Sequence, residues 1–197
     1  WRHVATFYGA YVSSEAGVGG PFNLAGETAQ LSGRYSIPLP DPSFVSRRNF
    51  EHEVEFGYDF KYSTSNLEFG VAQVLGTATD VHQFVLGYRA TLRDEYGSTS
   101  VDMTGYFSPG NFGGGNSDAA FALARAASDS SYAYGRIEVE RFTNLPKRFT
   151  TVARITGQVS NENLLPSEQL GFGGYASVRG YEEWEANVDQ GVITSVE

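Results

Sequence analysis

The chain has 197 residues, a formal net charge of −9 and no cysteine. That charge argues against a nucleic-acid partner, and the missing thiols exclude disulfides, thiolate metal sites and cysteine nucleophiles. Aromatics make up 14% and glycine numbers 23, with little lysine, which favours strands and turns over helices.

The chain starts at Trp1 without a charged-then-apolar leader, which reads as a mature chain or an excised piece. No run of 18 apolar residues exists, so no membrane-spanning helix is expected. A spanning β-strand needs only about 9–11 residues of alternating character, so a membrane location stays open.

Period-two alternation predicts strands near 2–13, 25–38, 50–63, 80–93, 98–108, 131–143 and 148–160, with an eighth starting near Gly191. In the second, Leu31, Tyr35 and Ile37 oppose Gln30, Ser32 and Arg34. In the third, Val54, Phe56, Tyr58, Phe60 and Tyr62 oppose Glu53, Glu55, Gly57, Asp59 and Lys61. In the fourth, Phe84, Leu86, Tyr88 and Leu92 oppose Gln83, Arg89 and Arg93. The sixth sets Ile137 and Val139 against Arg136, Glu138 and Glu140; the seventh sets Ile155 and Val159 against Arg154. A soluble sandwich also alternates, but its polar face is usually bland. A polar face carrying acids and arginines on strand after strand fits a hydrated lumen, with the apolar face towards lipid.

Connection lengths agree. Those at 94–97 and 144–147 read as tight turns, and those at 64–79, 109–130 and 161–190 as long loops, as in outer-membrane barrels. The connection at 39–49 is longer than a turn should be, but its parity places it on the turn side. Tyr11, Tyr62, Tyr106, Phe107, Tyr132, Phe142 and Phe149 are candidate interface girdles. The expected fold is all-β, a partial antiparallel transmembrane β-barrel domain over 1–197, with missing strands on both sides because lipid does not tolerate open edges.

No motif points to catalysis, a cofactor or a metal. His52 points away from Glu51 and Glu53, and His82 lies on the apolar face. Phe112-Gly113-Gly114-Gly115 lacks the lysine and hydroxyl of a phosphate cradle. Asp118 to Ser128 reads as one or two helical turns with a structural role. The candidate lumenal charges are Glu53, Glu55, Asp59, Asp102, Glu138 and Glu140, balanced by Arg34, Arg89, Arg93, Arg136 and Arg154.

The stretch from Gly171 to Gly191 is the most particular. Gly173, Gly174 and Gly180 permit two sharp turns. Between them Val178 and Tyr181 can pack while Arg179 projects a rigid five-donor fork. Spacing leaves two readings open: a lumenal anchor on wall carboxylates, or a solvated arginine on a surface loop.

Asn163-Leu164-Leu165-Pro166-Ser167-Glu168-Gln169, then Leu170-Gly171-Phe172-Gly173-Gly174, Ser177-Val178-Arg179-Gly180-Tyr181-Glu182 and Asp189-Gln190-Gly191 together resemble the haemolysin secretion/activation transporters of two-partner secretion (TpsB type). Gly57-Tyr58-Asp59-Phe60-Lys61, Leu145-Pro146 and Gly157-Gln158 are also similar. The resemblance implies a barrel of about sixteen strands preceded by periplasmic polypeptide-binding domains. It makes 161–190 the inward-folded plug loop, with Arg179 paired to an acid beyond Glu197. It implies an outer-membrane pore, surrounded by lipid, that secretes a large partner exoprotein of haemolysin or adhesin type. Alternatives are a barrel that inserts other outer-membrane proteins and a soluble, secreted all-β binding domain.

Overall fold

The structure, a computed structural model, describes residues 2–19, 22–40, 49–69, 72–174, 180–182 and 185–197. Ten strands form among these residues: β1 (Val4–Gly19), β2 (Phe22–Pro38), β3 (Phe50–Phe69), β4 (Ala72–Asp94), β5 (Gly97–Pro109), β6 (Ser131–Asn144), β7 (Thr150–Ser160), β8 (Leu170–Phe172), β9 (Ala186–Val188) and β10 (Gly191–Val196). The main sheet has the order β1-β2-β3-β4-β5-β6-β7-β10, with antiparallel neighbours throughout. β8 and β9 pair separately as a small ribbon within the β7–β10 connection.

The register keeps like with like. Tyr35 lies opposite Phe56, Phe56 opposite Leu86, Leu86 opposite Gly105, and Gly135 opposite Val159. This face stays uncovered: Phe7 is 80% exposed and Leu86 55%. The buried cluster lies on the opposite, polar face, where Val81, Phe121, Tyr132, Tyr134, Leu164 and Leu165 come together. The sheet therefore leaves its oily side bare and builds its core beneath the loops on its polar side.

Those loops are the β5–β6 and β7–β10 connections. The first contains helix α1 (Asp118–Ala124), whose N-terminus is capped by the Ser117 hydroxyl. Asp118 Oδ1 accepts from the Ser130 N–H and hydroxyl, closing the base of that connection. At the other end, the β4–β5 turn is closed by Asp94 Oδ1, which accepts the Tyr96 and Gly97 N–H groups at 2.9 Å each. The Arg141 guanidinium and these backbone donors hold the Asp94 carboxyl low, at about 2.

Two expectations change. The connection at 64–79 is mostly strand, because the β3–β4 ladder runs on from Ser63↔Thr79 to Phe69↔Ala72. The segment Ser63-Thr64-Ser65-Asn66 is polar on both faces, so alternation vanished although pairing did not. The girdle reading fails for Tyr106, Tyr132 and Phe142, which share the polar face by register. Tyr132 is buried there, and Tyr106 stacks on Tyr134 with centroids 4.4 Å apart. Tyr11, Phe107 and Phe149 are exposed. In the 39–49 connection, residues 41–48 lie outside the described residues.

Candidate functional site

The polar face carries two groups of charges. Towards the turn end, Arg89 bridges Glu53 and Asp102 at 2.9 Å each, and Arg93 meets Glu51 at 3.0 Å. Arg154 holds Glu140 and lies 3.4 Å from Glu138. Arg89 and Arg93 are half-exposed, so these pairs are worth little singly. Of these residues Arg89 and Asp102, with Arg34, Glu55, Tyr8, Tyr106, Arg136 and Glu138, border a cavity of about 330 Å³.

Towards the loop end the charges are buried. Arg34 grips Asp59 through its two terminal guanidinium nitrogens, at 2.7 and 3.0 Å, and its Nε lies 3.4 Å from Glu55. Gly57, opposite Arg34, makes this possible: a Cβ there would stand 2.5 Å from the arginine Cδ. Gln83 Nε2 then donates to both Asp59 and Glu168, at 3.1 Å each. Tyr132 donates to Gln83 Oε1 at 2.9 Å, fixing the amide's orientation.

Glu168 is the centre of this network. It is 1% exposed and comes from the β7–β10 loop, not from the wall. Its carboxylate receives Lys61 Nζ at 2.6 Å, the Tyr134 hydroxyl at 2.7 Å, Ser167 at 2.9 Å and Gln83. Burial pushes its pKa up, but Lys61 and the hydrogen bonds outweigh that and hold the carboxyl below its usual range. The loop is thus pinned to the wall by a charged pair with nearly complete hydrogen bonding, the condition under which such a pair is not a liability.

A second clamp joins the two long loops. Arg125, just past α1, holds Asp189 bidentately at 2.5 and 2.8 Å and donates to the Leu164 carbonyl. Asp189 Oδ1 also accepts the Leu164 N–H and Gln169 Nε2. The Arg125 hydrogen bonds hold the Asp189 carboxyl below its ordinary range. Replacing Arg125 by Lys removes the planar fork but keeps the charge. The expected cost is about 1–2 kcal/mol, read as roughly tenfold faster hydrogen exchange at Leu164.

Arg136 differs from the expected balance. Among the described residues it has no carboxylate at ion-pair distance; its fork is taken by Gln158 Oε1, at 2.9 and 2.7 Å, and by the Gln169 carbonyl. Gln158 Nε2 in turn donates to the carbonyls of Glu168 and Asp189, at the two ends of the loop. Arg136 thus acts on the loop rather than on an acid.

Of the motif residues, Gly173, Gly174 and Gly180 have φ of +112°, +84° and +95°. A Cβ on Gly173 would strike the Glu182 carbonyl, and the Gly174 N–H donates to the Tyr181 carbonyl at 3.2 Å, closing the hairpin. Tyr181 is exposed. Val178 and Arg179 lie outside the described residues.

The model of the haemolysin secretion/activation proteins ShlB/FhaC/HecB matches residues 6–197. The chain belongs to this family. No curated protein matches it in sequence. Among solved structures it is similar to CdiB from Escherichia coli, with a TM-score of 0.74 and 14% identity over 98% of this chain. The chain spans 34% of that protein's length. The eight-stranded sheet is therefore a fragment of this family's antiparallel β-barrel. The residues not foreseen as a site, Lys61, Gln83, Tyr134, Arg125, Glu168 and Asp189, all serve to hold the loop. Two signals for them are present: Lys61, Glu168 and Asp189 lie in the stretches that carry the family resemblance, and Lys61 is one of only two lysines, on a polar strand face.

Proposed function

We propose that this chain is the central part of an outer-membrane pore that exports a large partner exoprotein by two-partner secretion. The 161–190 loop is its stopper, held at its base by Glu168 and Asp189 and at its tip by Arg179. No chemistry is catalysed. The observation that carries this reading is the asymmetry of one sheet: its apolar face is bare, and its polar face is closed by an anchored loop. A soluble β-domain would cover the apolar face. Membership of a secretion family favours export over the insertion of other barrels. The partner crosses extended along the polar face, and its binding shifts the loop's population.

Deletion of the gene removes at least one large protein from the culture medium, and complementation restores it. An unchanged set of secreted proteins contradicts the proposal. Leu86→Arg tests the lipid face separately. A charge there costs about 2–4 kcal/mol at mid-depth, so insertion of the full-length protein into lipid vesicles drops sharply. Glu138→Ala, on the polar face, inserts normally.

A further inference from the structure

The sheet is taller on one side than on the other. β3 and β4 remain paired as far as Phe69↔Ala72, whereas β4 meets β5 only from Phe84↔Phe107 onwards. Above that point the outer edge of β4 loses its strand partner. The β5–β6 loop caps it once: the Asp80 N–H donates to the Gly115 carbonyl at 2.9 Å, and Asn116 Nδ2 donates to the Asp80 carbonyl at 2.7 Å. Gly115 is needed for this approach, because a Cβ would lie 2.3 Å from the Asp80 carboxylate.

Beyond the cap no strand among the described residues pairs with this edge. Asp80 points its backbone groups outward, so by the two-residue period Ala78 and Gly76 do the same. Neither has an outward backbone partner among the described residues. Proteins normally blunt such an edge with charge or proline. The segment Ala72–Thr79, AQVLGTAT, has neither. Unpaired backbone is not tolerated in lipid, so this stretch stands clear of the bilayer. Beside it, on the polar side, is a cleft of about 460 Å³ bordered by Ser63, Ser65, Thr77, Thr79, Leu123 and Leu165. Leu123 is 74% exposed on α1.

We infer that the upper edge of β4 is a strand-docking site for an uncharged, extended segment of the exported polypeptide as it leaves the pore. The inference rests on the export reading and names the surface that receives the cargo. An open row of alternating donors and acceptors is matched by an extended backbone, and β-addition is the binding mode it supports. A chain leaving a narrow pore arrives in that conformation. Its alternate side chains enter the hydroxyl-rich cleft and rest on Leu123, which selects small polar and aliphatic residues over charges. Docking there provides a template for the first hairpin of the cargo outside the cell.

The test uses the full-length transporter in cells. The probe is the protein that disappears from the medium when the transporter gene is deleted. A photo-crosslinking amino acid at position 78 gives an adduct with that protein during export; at position 103, on the apolar face, it gives none. Ala78→Pro removes only an outward N–H and spares the β3 ladder. It lowers the folded probe outside the cell at least tenfold, while Ala78→Ser leaves it unchanged. The inference is overturned by no adduct at 78, by an adduct only with a second copy of the transporter, or by normal folded yield from an inserted Ala78→Pro protein. If Ala78→Pro fails to insert, the crosslink alone decides. If no protein disappears on gene deletion, the export reading itself fails.

Discussion

Glu168→Ala frees the base of the loop while leaving the barrel wall paired. The carboxylate is buried, and its removal strands Lys61, a cation only 17% exposed at its side chain, together with the Tyr134 hydroxyl and one Gln83 donor. Breaking one partner of a buried pair costs about 3–5 kcal/mol, mostly because the other is left uncompensated. The loss falls on the loop, since the strands keep their own ladders on both sides. The amides of 163–170 then exchange at least a hundredfold faster, at about one decade per 1.4 kcal/mol, while those of β5 and β6 are unchanged. Hydrogen-exchange mass spectrometry on the full-length protein reads both. In planar bilayers the variant conducts more than the wild type. Glu168→Gln keeps the shape and an acceptor but loses the countercharge, so it falls between the two. Unchanged exchange at 163–170 in Glu168→Ala contradicts the anchor.

Phe121→Ala separates the two long loops. Phe121 is fully buried, 6.3 Å from the Tyr132 ring, in the apolar cluster that joins α1, the wall and the start of the β7–β10 loop. Truncating a buried Phe to Ala costs about 3–5 kcal/mol. A helix of seven residues has little stability of its own, so it unravels when that contact is lost. Limited proteolysis then cuts within 110–130, where the wild type resists, and the Arg125–Asp189 clamp loosens with it. Phe121→Leu conserves most of the volume and costs less than about 1.5 kcal/mol, so it resists cleavage. Equal resistance in Phe121→Ala places the stability of α1 elsewhere.

These two residues also mark where sequence patterning stops being informative. Alternation placed the eight wall strands and divided their faces, because half-buried pairing imposes a strict period of two. It failed at Ser63–Asn66, where both faces are polar and the ladder is held by backbone alone. It misassigned Tyr132, because a tyrosine at a strand end suits a membrane girdle as well as a core beneath loops; only register and covering decide. Lys61 and Glu168 are 107 residues apart, and Glu168 lies in an aperiodic segment, so spacing could not pair them. Patterning assigns Arg136 to acids because Glu138 and Glu140 share its strand face; the structure gives it Gln158 and a loop carbonyl instead. In the motif loop, glycine spacing foretold turns, but it carried no information on which wall residue would hold the base.

The most direct measurement is amine footprinting of the full-length protein in detergent micelles. This chain contains two lysines, Lys61 in the buried pair and Lys147 exposed in the β6–β7 turn. A small acylating reagent modifies Lys147 quickly and leaves Lys61 untouched until Glu168 is replaced by Ala. Lys61 reacting as fast as Lys147 in the unaltered protein would mean that the loop does not lie on the wall.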